Sequence, residues 1–191
     1  MFIETETTPN PATLKFLPGQ RVMPAGTRDF ATPEEADASP LAQALFGTGE
    51  VTGVFFGADF VSVTAAPGVD WGVLKPQVVA VLLDHFVSQA PLFAGGDASG
   101  IAVPPEDEGL DDDPADAEIV EQIKELIETR VRPAVAGDGG DIRYRGYRDG
   151  VVYLAMQGAC SGCPSSTATL KQGIEGLLKH YVPEVIEVRA A

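Results

Sequence analysis

The chain has 191 residues, of which 45% are hydrophobic, and its formal net charge is −15. This length suits one medium domain or two small ones, each large enough to bury a core. Such a negative surface repels phosphate backbones and anionic lipid, so we expect neither nucleic acid nor a membrane as a partner. No apolar run approaches the ~20 residues needed to span a bilayer.

The first 89 residues predict a small α+β domain. Strand candidates at 2–3 and 13–17 flank a proline-rich turn, and a short helix is expected over 40–46. Residues 51–56 and 60–64 predict a β-hairpin. Asp70 can cap a helix that reaches Phe86, with either a kink at Pro76 or a regular part that begins there. This domain gathers no catalytic groups, and the isolated His85 is expected to be structural or exposed.

Composition changes abruptly over residues 90–113. Glycine, proline and acidic residues dominate this stretch, no basic residue occurs in it, and the apolar periodicity is lost. Such a sequence buries too little apolar surface to offset the entropy of ordering it. We therefore expect a flexible, acidic linker between domains at 1–89 and 114–191.

The C-terminal domain has a more regular pattern. Asp113-Pro114 predicts the start of a helix that runs to about Arg130 and is ended by residues 131–133. A glycine-rich turn over 136–141 precedes hairpin strands at 142–147 and 151–156. A second helix over 164–181 and a last strand at 185–188 complete the order α-β-β-α-β. The predicted fold class is thus α+β, with two small domains.

The chain has two cysteines, Cys160 and Cys163, in a Cys-x-x-Cys loop between a strand and a helix. Because Pro164 opens that helix, Cys163 is a natural N-cap, where free N–H groups and the helix dipole favour a thiolate. Two thiolates are half of the four ligands that zinc or an iron–sulfur cluster normally takes. If the pair binds metal, we expect both residues to be ligands, with the other half supplied most simply by the same pair of a second chain.

Four interpretations of this pair stay open from the residues alone. These are an iron–sulfur cluster shared between two chains, a zinc ion shared in the same way, a thioredoxin-like dithiol, and two inert buried thiols. The dithiol fits less well, because thioredoxin-type motifs follow a βαβ unit, whereas a hairpin precedes this pair.

Other groups offer little to complete a site within one chain. His180 lies ~25 Å from the start of the helix at 1.5 Å per residue, too far to join the cysteines. Asp138 and Asp141 are better explained as turn residues. Nearby hydroxyls can donate hydrogen bonds to cluster sulfides, namely those of Ser161, Ser165, Ser166 and Thr167. No catalytic constellation occurs in the sequence, so we do not expect an enzyme.

Seven segments resemble the NifU-like (Nfu) family, three in the C-terminal half and four in the first half. The C-terminal resemblance rests on Gly-Asp-Gly-Gly-Asp at 137–141, Gly-Ala-Cys-Ser-Gly-Cys-Pro-Ser-Ser-Thr at 158–167 and Leu-Lys-Gln-Gly-Ile-Glu at 170–175. In the first half it rests on Phe-Ile-Glu-Thr-Glu at 2–6, Thr-Pro-Asn-Pro at 8–11, Leu-Lys-Phe at 14–16 and residues 39–46. The resemblance covers nearly the whole chain apart from the expected linker.

The resemblance implies an iron–sulfur scaffold or carrier. Residues matching Cys160 and Cys163 ligate a [4Fe–4S] cluster, one per homodimer, with a [2Fe–2S] form left open. The implied partners are upstream cluster-assembly proteins and apo iron–sulfur client enzymes, which receive the cluster. The start of the chain, with Glu4 and Glu6 and no basic targeting segment, favours a cytoplasmic bacterial protein, with a mature mitochondrial matrix form as the alternative. The alternative function is a thiol–disulfide oxidoreductase using the same pair.

Overall fold

The computed structural model describes residues 1–96, 112–161 and 164–191, with the side chains of 164–166 excepted. The chain divides into two compact units, Met1–Val103 and Pro104–Ala191. Each contains helices and sheet, as the predicted α+β class requires. Among the described helices, none is both long enough and apolar enough to cross a bilayer.

The first unit contains one antiparallel five-stranded sheet. Its strands are β1 (Glu4–Thr7), β2 (Thr13–Leu17), β3 (Arg28–Phe30), β4 (Val51–Phe56) and β5 (Val61–Ala65), in the spatial order β1-β2-β5-β4-β3. The predicted hairpin is confirmed as the β4–β5 pair. Strand β3 is an edge strand of three residues, too short to produce a recognisable alternating pattern, and no prediction covers it.

The described residues of the first unit also form two α-helices, α1 (Pro40–Phe46) and α2 (Trp71–Ser88). The predicted caps are present: the Ser39 hydroxyl accepts the Ala42 N–H at 3.3 Å, and the Asp70 carboxylate accepts the Gly72 N–H at 2.8 Å. Helix α2 begins before Pro76, so its regular part does not start there. The helices and the sheet share one core rich in phenylalanine.

The second unit packs a run of helices against a three-stranded sheet. Its helices are α3 (Ala117–Leu126), α4 (Arg132–Gly137) and α5 (Pro164–Tyr181), and its strands are β6 (Gly140–Arg148), β7 (Val151–Gly158) and β8 (Glu187–Ala190). Strands β6 and β7 form the predicted hairpin, and β8 joins β7 in parallel. The predicted order α-β-β-α-β is confirmed, with β8 starting two residues later than expected.

The predicted end of the first helix at residues 131–133 is wrong. A turn of π-helix over Ile127–Val131 connects α3 to α4, so the helical run continues through Pro133 to Gly137. Proline lacks an N–H and its ring clashes with the carbonyl four residues earlier. The wider π turn directly before Pro133 accommodates both effects, which is why the helix continues.

Both described ends of the expected linker, 90–113, pack against folded units. Phe93 is 2% exposed in the core of the first unit, and the Ser39 hydroxyl donates to the Leu92 carbonyl at 2.5 Å. In the second unit the Asp112 carboxylate accepts the Tyr144 hydroxyl at 2.7 Å and the Tyr147 N–H at 2.8 Å. Residues 92–93 and 112 are therefore packed, the remainder of the expected linker, 97–111, lies outside the described residues, and the expected domain boundaries stay a prediction.

Candidate metal centre

Cys160 lies in a tight turn just after β7 and is 5% exposed. Its side chain belongs to the core of the second unit, together with Ile142 and Leu154 of the sheet. Cys163, the second predicted ligand, and Gly162 lie outside the described residues. The structure therefore locates one of the two predicted ligands, and it locates it at the junction between the sheet and α5.

Four hydrogen bonds hold the turn that carries Cys160. The Ser161 N–H and hydroxyl both donate to the Gly158 carbonyl, at 3.1 and 2.9 Å. The Thr167 hydroxyl donates to the Cys160 carbonyl at 3.0 Å, which ties the turn to the first turns of α5. The Ala159 N–H donates to the Gly139 carbonyl at 3.2 Å. Each hydroxyl has a single hydrogen, and in this structure those of Ser161 and Thr167 are used to hold the loop; hydrogen bonds from these hydroxyls to cluster sulfides stay a prediction.

The glycine-rich turn and the cysteine turn are in direct contact. A Cβ atom at Gly140 would lie 2.8 Å from the Cys160 sulfur and 2.5 Å from the Gln157 carbonyl oxygen. Both distances are far below van der Waals contact, so only glycine fits here. The segment 137–141, expected only to reverse the chain, thus forms one wall of the cysteine site.

A buried ion pair holds the start of β6 beside this wall. The Arg132 guanidinium donates to both carboxylate oxygens of Asp141, each at 2.9 Å, and also to Glu128. The Asp141 side chain is only 4% exposed, and one of its oxygens also accepts the Ile142 N–H at 2.8 Å. The predicted turn role of Asp141 is therefore incomplete. Its partner Arg132 lies nine residues earlier, a spacing that matches no local motif.

Electrostatics around Cys160 favour the neutral thiol. Burial, and to a lesser extent the nearby carboxylates of Asp138 and Asp141, together raise its pKa to about 12. A thiol in this environment is a poor nucleophile at neutral pH. A metal ion changes the balance, because it binds thiolate and releases the proton.

The remaining candidate ligands do not converge on Cys160. Within residues 1–96, 112–161 and 164–191, no three histidine, cysteine or acidic side chains come together to hold a metal ion. His180 contacts the ring of Tyr181 at the far end of α5, as its predicted position requires. His85 is 8% exposed in the first unit, and burial lowers its pKa. A structural role for His85, as predicted, agrees with this burial.

Comparison with known families now identifies the class of protein. The profile described as "Scaffold protein Nfu/NifU N terminal" matches residues 3–89, and the profile described as "NifU-like domain" matches residues 123–189. The two profiles lie in the first and second units. The chain belongs to the Nfu/NifU family of scaffold proteins.

Two curated relatives agree with this assignment. "NifU-like protein 5, mitochondrial" from Arabidopsis thaliana is 50% identical over 97% of this chain and 66% of its own length. "NFU1 iron-sulfur cluster scaffold homolog, mitochondrial" from Homo sapiens is 48% identical over 97% of this chain and 70% of its own length. The solution NMR structure of a NifU-like protein from Saccharomyces cerevisiae aligns with 49% of this chain and 85% of that chain at 25% identity, with a TM-score of 0.45. The chain thus spans about two thirds of the length of these two curated relatives.

Proposed function

We propose that this chain carries an iron–sulfur cluster, held between two copies of the chain by Cys160 and Cys163, and transfers it to apo-proteins. The observation that carries the proposal is the shortage of ligands. The chain has two cysteines, and among the described residues no other metal-ligating group converges on Cys160. A [4Fe–4S] or [2Fe–2S] cluster takes four protein ligands, so a second copy supplies the remaining two. Family membership supports an iron–sulfur cluster as the bound group, since the human relative is named an iron–sulfur cluster scaffold.

A shared cluster suits a carrier better than a resident cofactor. Each chain contributes two thiolates, so thiolates of an acceptor can replace one chain's pair at a time by ligand exchange. No substrate is chemically transformed in this process, and the proposed role is therefore not that of an enzyme. The apo iron–sulfur client enzymes accept the cluster, and upstream assembly proteins supply it.

The thiol–disulfide oxidoreductase is the less favoured alternative. An attacking cysteine in such proteins is exposed and has a lowered pKa, so that thiolate exists before the reaction begins. Cys160 has the opposite properties, because burial and two carboxylates raise its pKa. Metal ligation avoids this obstacle, since the ion itself drives deprotonation.

Anaerobic reconstitution with iron and sulfide separates these functions. The carrier is expected to bind about four iron and four sulfide per dimer, with a brown chromophore. A colourless protein that reduces disulfides would support the oxidoreductase, and zinc retained without sulfide would support a structural metal site.

The variant Cys160→Ser tests the ligand assignment. We expect loss of the cluster and of the cluster-dependent dimer while the fold persists, because the helices and sheet have their own core. Ala168→Ser is the matched control, since it adds a serine on the exposed side of α5 without removing a sulfur. Full cluster binding by Cys160→Ser, or a loaded form with one chain per cluster and no added thiol ligand, contradicts the proposal.

We further propose that the chain acts in the bacterial cytoplasm, or in the mitochondrial matrix as a mature form. Both relatives above are named as mitochondrial, which is compatible with the second location. Fractionation of the source cells with an antibody to the second unit distinguishes the two.

A further inference from the structure

The sheet of the second unit has two chemically different faces. Ile142, Val152 and Leu154 point toward the helices and are fully buried. Side chains of the intervening residues point to the opposite face, because direction alternates along a strand. That face includes residues that are half-buried or exposed, and we name it the arginine face: Arg143, Arg145, Tyr153 and Arg189.

Positive charge is concentrated on this face against the trend of the chain. The chain has 28 acidic and 13 basic residues, yet on these three strands, all within the described residues, the arginine face has three arginines and the partly exposed carboxylate of Glu187. Glu187 accepts from Arg189 at 3.0 Å and lies 3.7 Å from the ammonium of Lys171. Asp141, also on β6, is buried in its pair with Arg132 and contributes little to the surface.

The register of the three strands defines how the residues of the arginine face are arranged relative to one another. Tyr153 lies directly opposite Arg189 in the β7–β8 register, and Arg143 lies opposite the small Ala155 in the β6–β7 register. Arg145 lies at the register shift between Tyr144 and Gly146, where a bulge interrupts the pairing of β6 with β7. Arginine and tyrosine are the residue types that most often anchor protein–protein interfaces.

The face is continuous with the cysteine site through β7. Tyr153 precedes Gly158, the last residue of β7, by five residues, which is about 17 Å at ~3.3 Å per residue, and Cys160 lies in the turn that follows. A protein seated on the arginine face therefore lies beside the cysteine turn and does not cover it. Thiolates at the edge of such a partner can reach the turn.

We propose that the arginine face docks an acidic surface of a protein that exchanges an iron–sulfur cluster with this chain; this inference rests on the proposed function. Three arginines complement a cluster of carboxylates. Nucleic acid and anionic membranes extend well beyond the face and meet the repulsion of the remaining acidic surface, whereas a compact protein need not. The face measures roughly 14 by 26 Å from strand spacing and length, about half the ~800 Å² per partner of a stable complex. Its contact is accordingly brief, as transfer requires.

Charge reversal on the face tests the inference in the full chain. Cluster-loaded wild type and the variant Arg143→Glu/Arg145→Glu are mixed at low salt with an acidic apo-ferredoxin, and the second-order transfer rate is measured. We expect at least a ten-fold lower rate for the variant, with the difference shrinking at ~0.5 M salt, because attraction between exposed charges is screened.

Arg21→Glu/Lys75→Glu is the matched control, because it changes net charge equally but lies in the first unit. Its rate should stay within about three-fold of wild type. Arg143→Gln/Arg145→Gln should give an intermediate rate, and a cluster content equal to wild type in each variant shows that the site is intact. Equal slowing by both charge reversals would assign the effect to net charge alone and overturn the inference.

A second measurement separates failure of this inference from failure of the proposed function. A glutamate-rich peptide is titrated into the isotope-labelled full chain without cluster, and its amide NMR signals are recorded. Shifts centred on the arginine face, absent in Arg143→Glu/Arg145→Glu, support docking even if wild type takes up no cluster. The inference fails if the peptide leaves these signals unchanged, or if a DNA duplex or phosphatidylserine vesicles shift them more strongly. It also fails if changing the acids at 106–111 to amides alone shifts these signals, which would assign the face to the chain's own acidic segment.

Discussion

Replacing Gly140 by alanine tests whether the glycine-rich turn forms the wall of the cysteine site. The new Cβ would lie 2.5 Å from the Gln157 carbonyl oxygen, 2.8 Å from the Cys160 sulfur and 3.2 Å from the Cys160 nitrogen. Two of these three atoms belong to the backbone, so relief requires strands β6 and β7 to separate. Overpacking of this kind typically costs about 1–3 kcal/mol.

A second effect of the substitution, on the entropy of the unfolded chain, opposes this loss of stability and is smaller. Alanine reduces the entropy of the unfolded chain and stabilises a protein by about 0.4–1 kcal/mol where its Cβ fits. The expected net result for Gly140→Ala is a loss of about 1–2 kcal/mol from the free energy of unfolding of the second unit. Alkylation of the thiol at Cys160 should also become faster, because the displaced wall exposes the sulfur.

Gly173→Ala is the matched control for this prediction. Gly173 is exposed on α5, and an added Cβ there meets nothing within 4 Å. Alanine in a helix interior is favoured over glycine by about 0.8–1 kcal/mol, so this variant should be more stable than wild type. Both substitutions replace glycine by alanine, and we expect them to change the free energy of unfolding in opposite directions.

The assay is urea unfolding followed by NMR signals of β6 and β7, with the fluorescence of Trp71 reporting the first unit independently. The chain has a single tryptophan and it lies in the first unit, so fluorescence excited selectively at tryptophan reports that unit. A Gly140→Ala protein whose second unit is as stable as wild type, with unchanged alkylation, would refute the packing of the two turns described above.

Three further predictions concern ion pairs and pH. Arg132→Ala should destabilise the second unit by about 2–4 kcal/mol, because it leaves Asp141 buried without this ion-pair partner. The double variant Arg132→Ala/Asp141→Ala should recover part of this loss of stability. Additive losses in the double-mutant cycle would show that the two side chains are not coupled. The pKa values of Cys160, Tyr144 and Tyr147 are all raised by burial, so the folded unit retains protons that the unfolded chain releases, and its stability should fall as pH rises above about 9. Cys160→Ala should reduce that slope in urea titrations, and an unchanged slope would mean that the thiol does not contribute. Burial lowers the pKa of His85 below 6.5, so on acidification the unfolded chain binds a proton at His85 at a higher pH than the folded chain does. The first unit should therefore lose stability as pH falls below about 6.5. His85→Phe should remove this loss between about pH 6.5 and 5, as followed by the fluorescence of Trp71.

Much of the fold could be predicted from local patterns. The helices over Pro40–Phe46 and Pro164–Tyr181, and both hairpins, follow from caps, prolines and alternation that operate within a few residues. The position of Cys160 between a strand and a helix followed from the same patterns. The count of two cysteines and its consequence, a ligand set that one chain cannot complete, needed only the sequence.

Only the tertiary structure decided what surrounds Cys160. The contact of Gly140 with its sulfur and the pairing of Arg132 with Asp141 join residues that no periodic pattern connects. The continuation of the helix through Pro133 and the edge strand β3 likewise depend on packing that overrides weak local signals. Secondary structure is set mainly by interactions between near neighbours, whereas a site's walls, burial and charge arise from residues that meet only when the chain is folded.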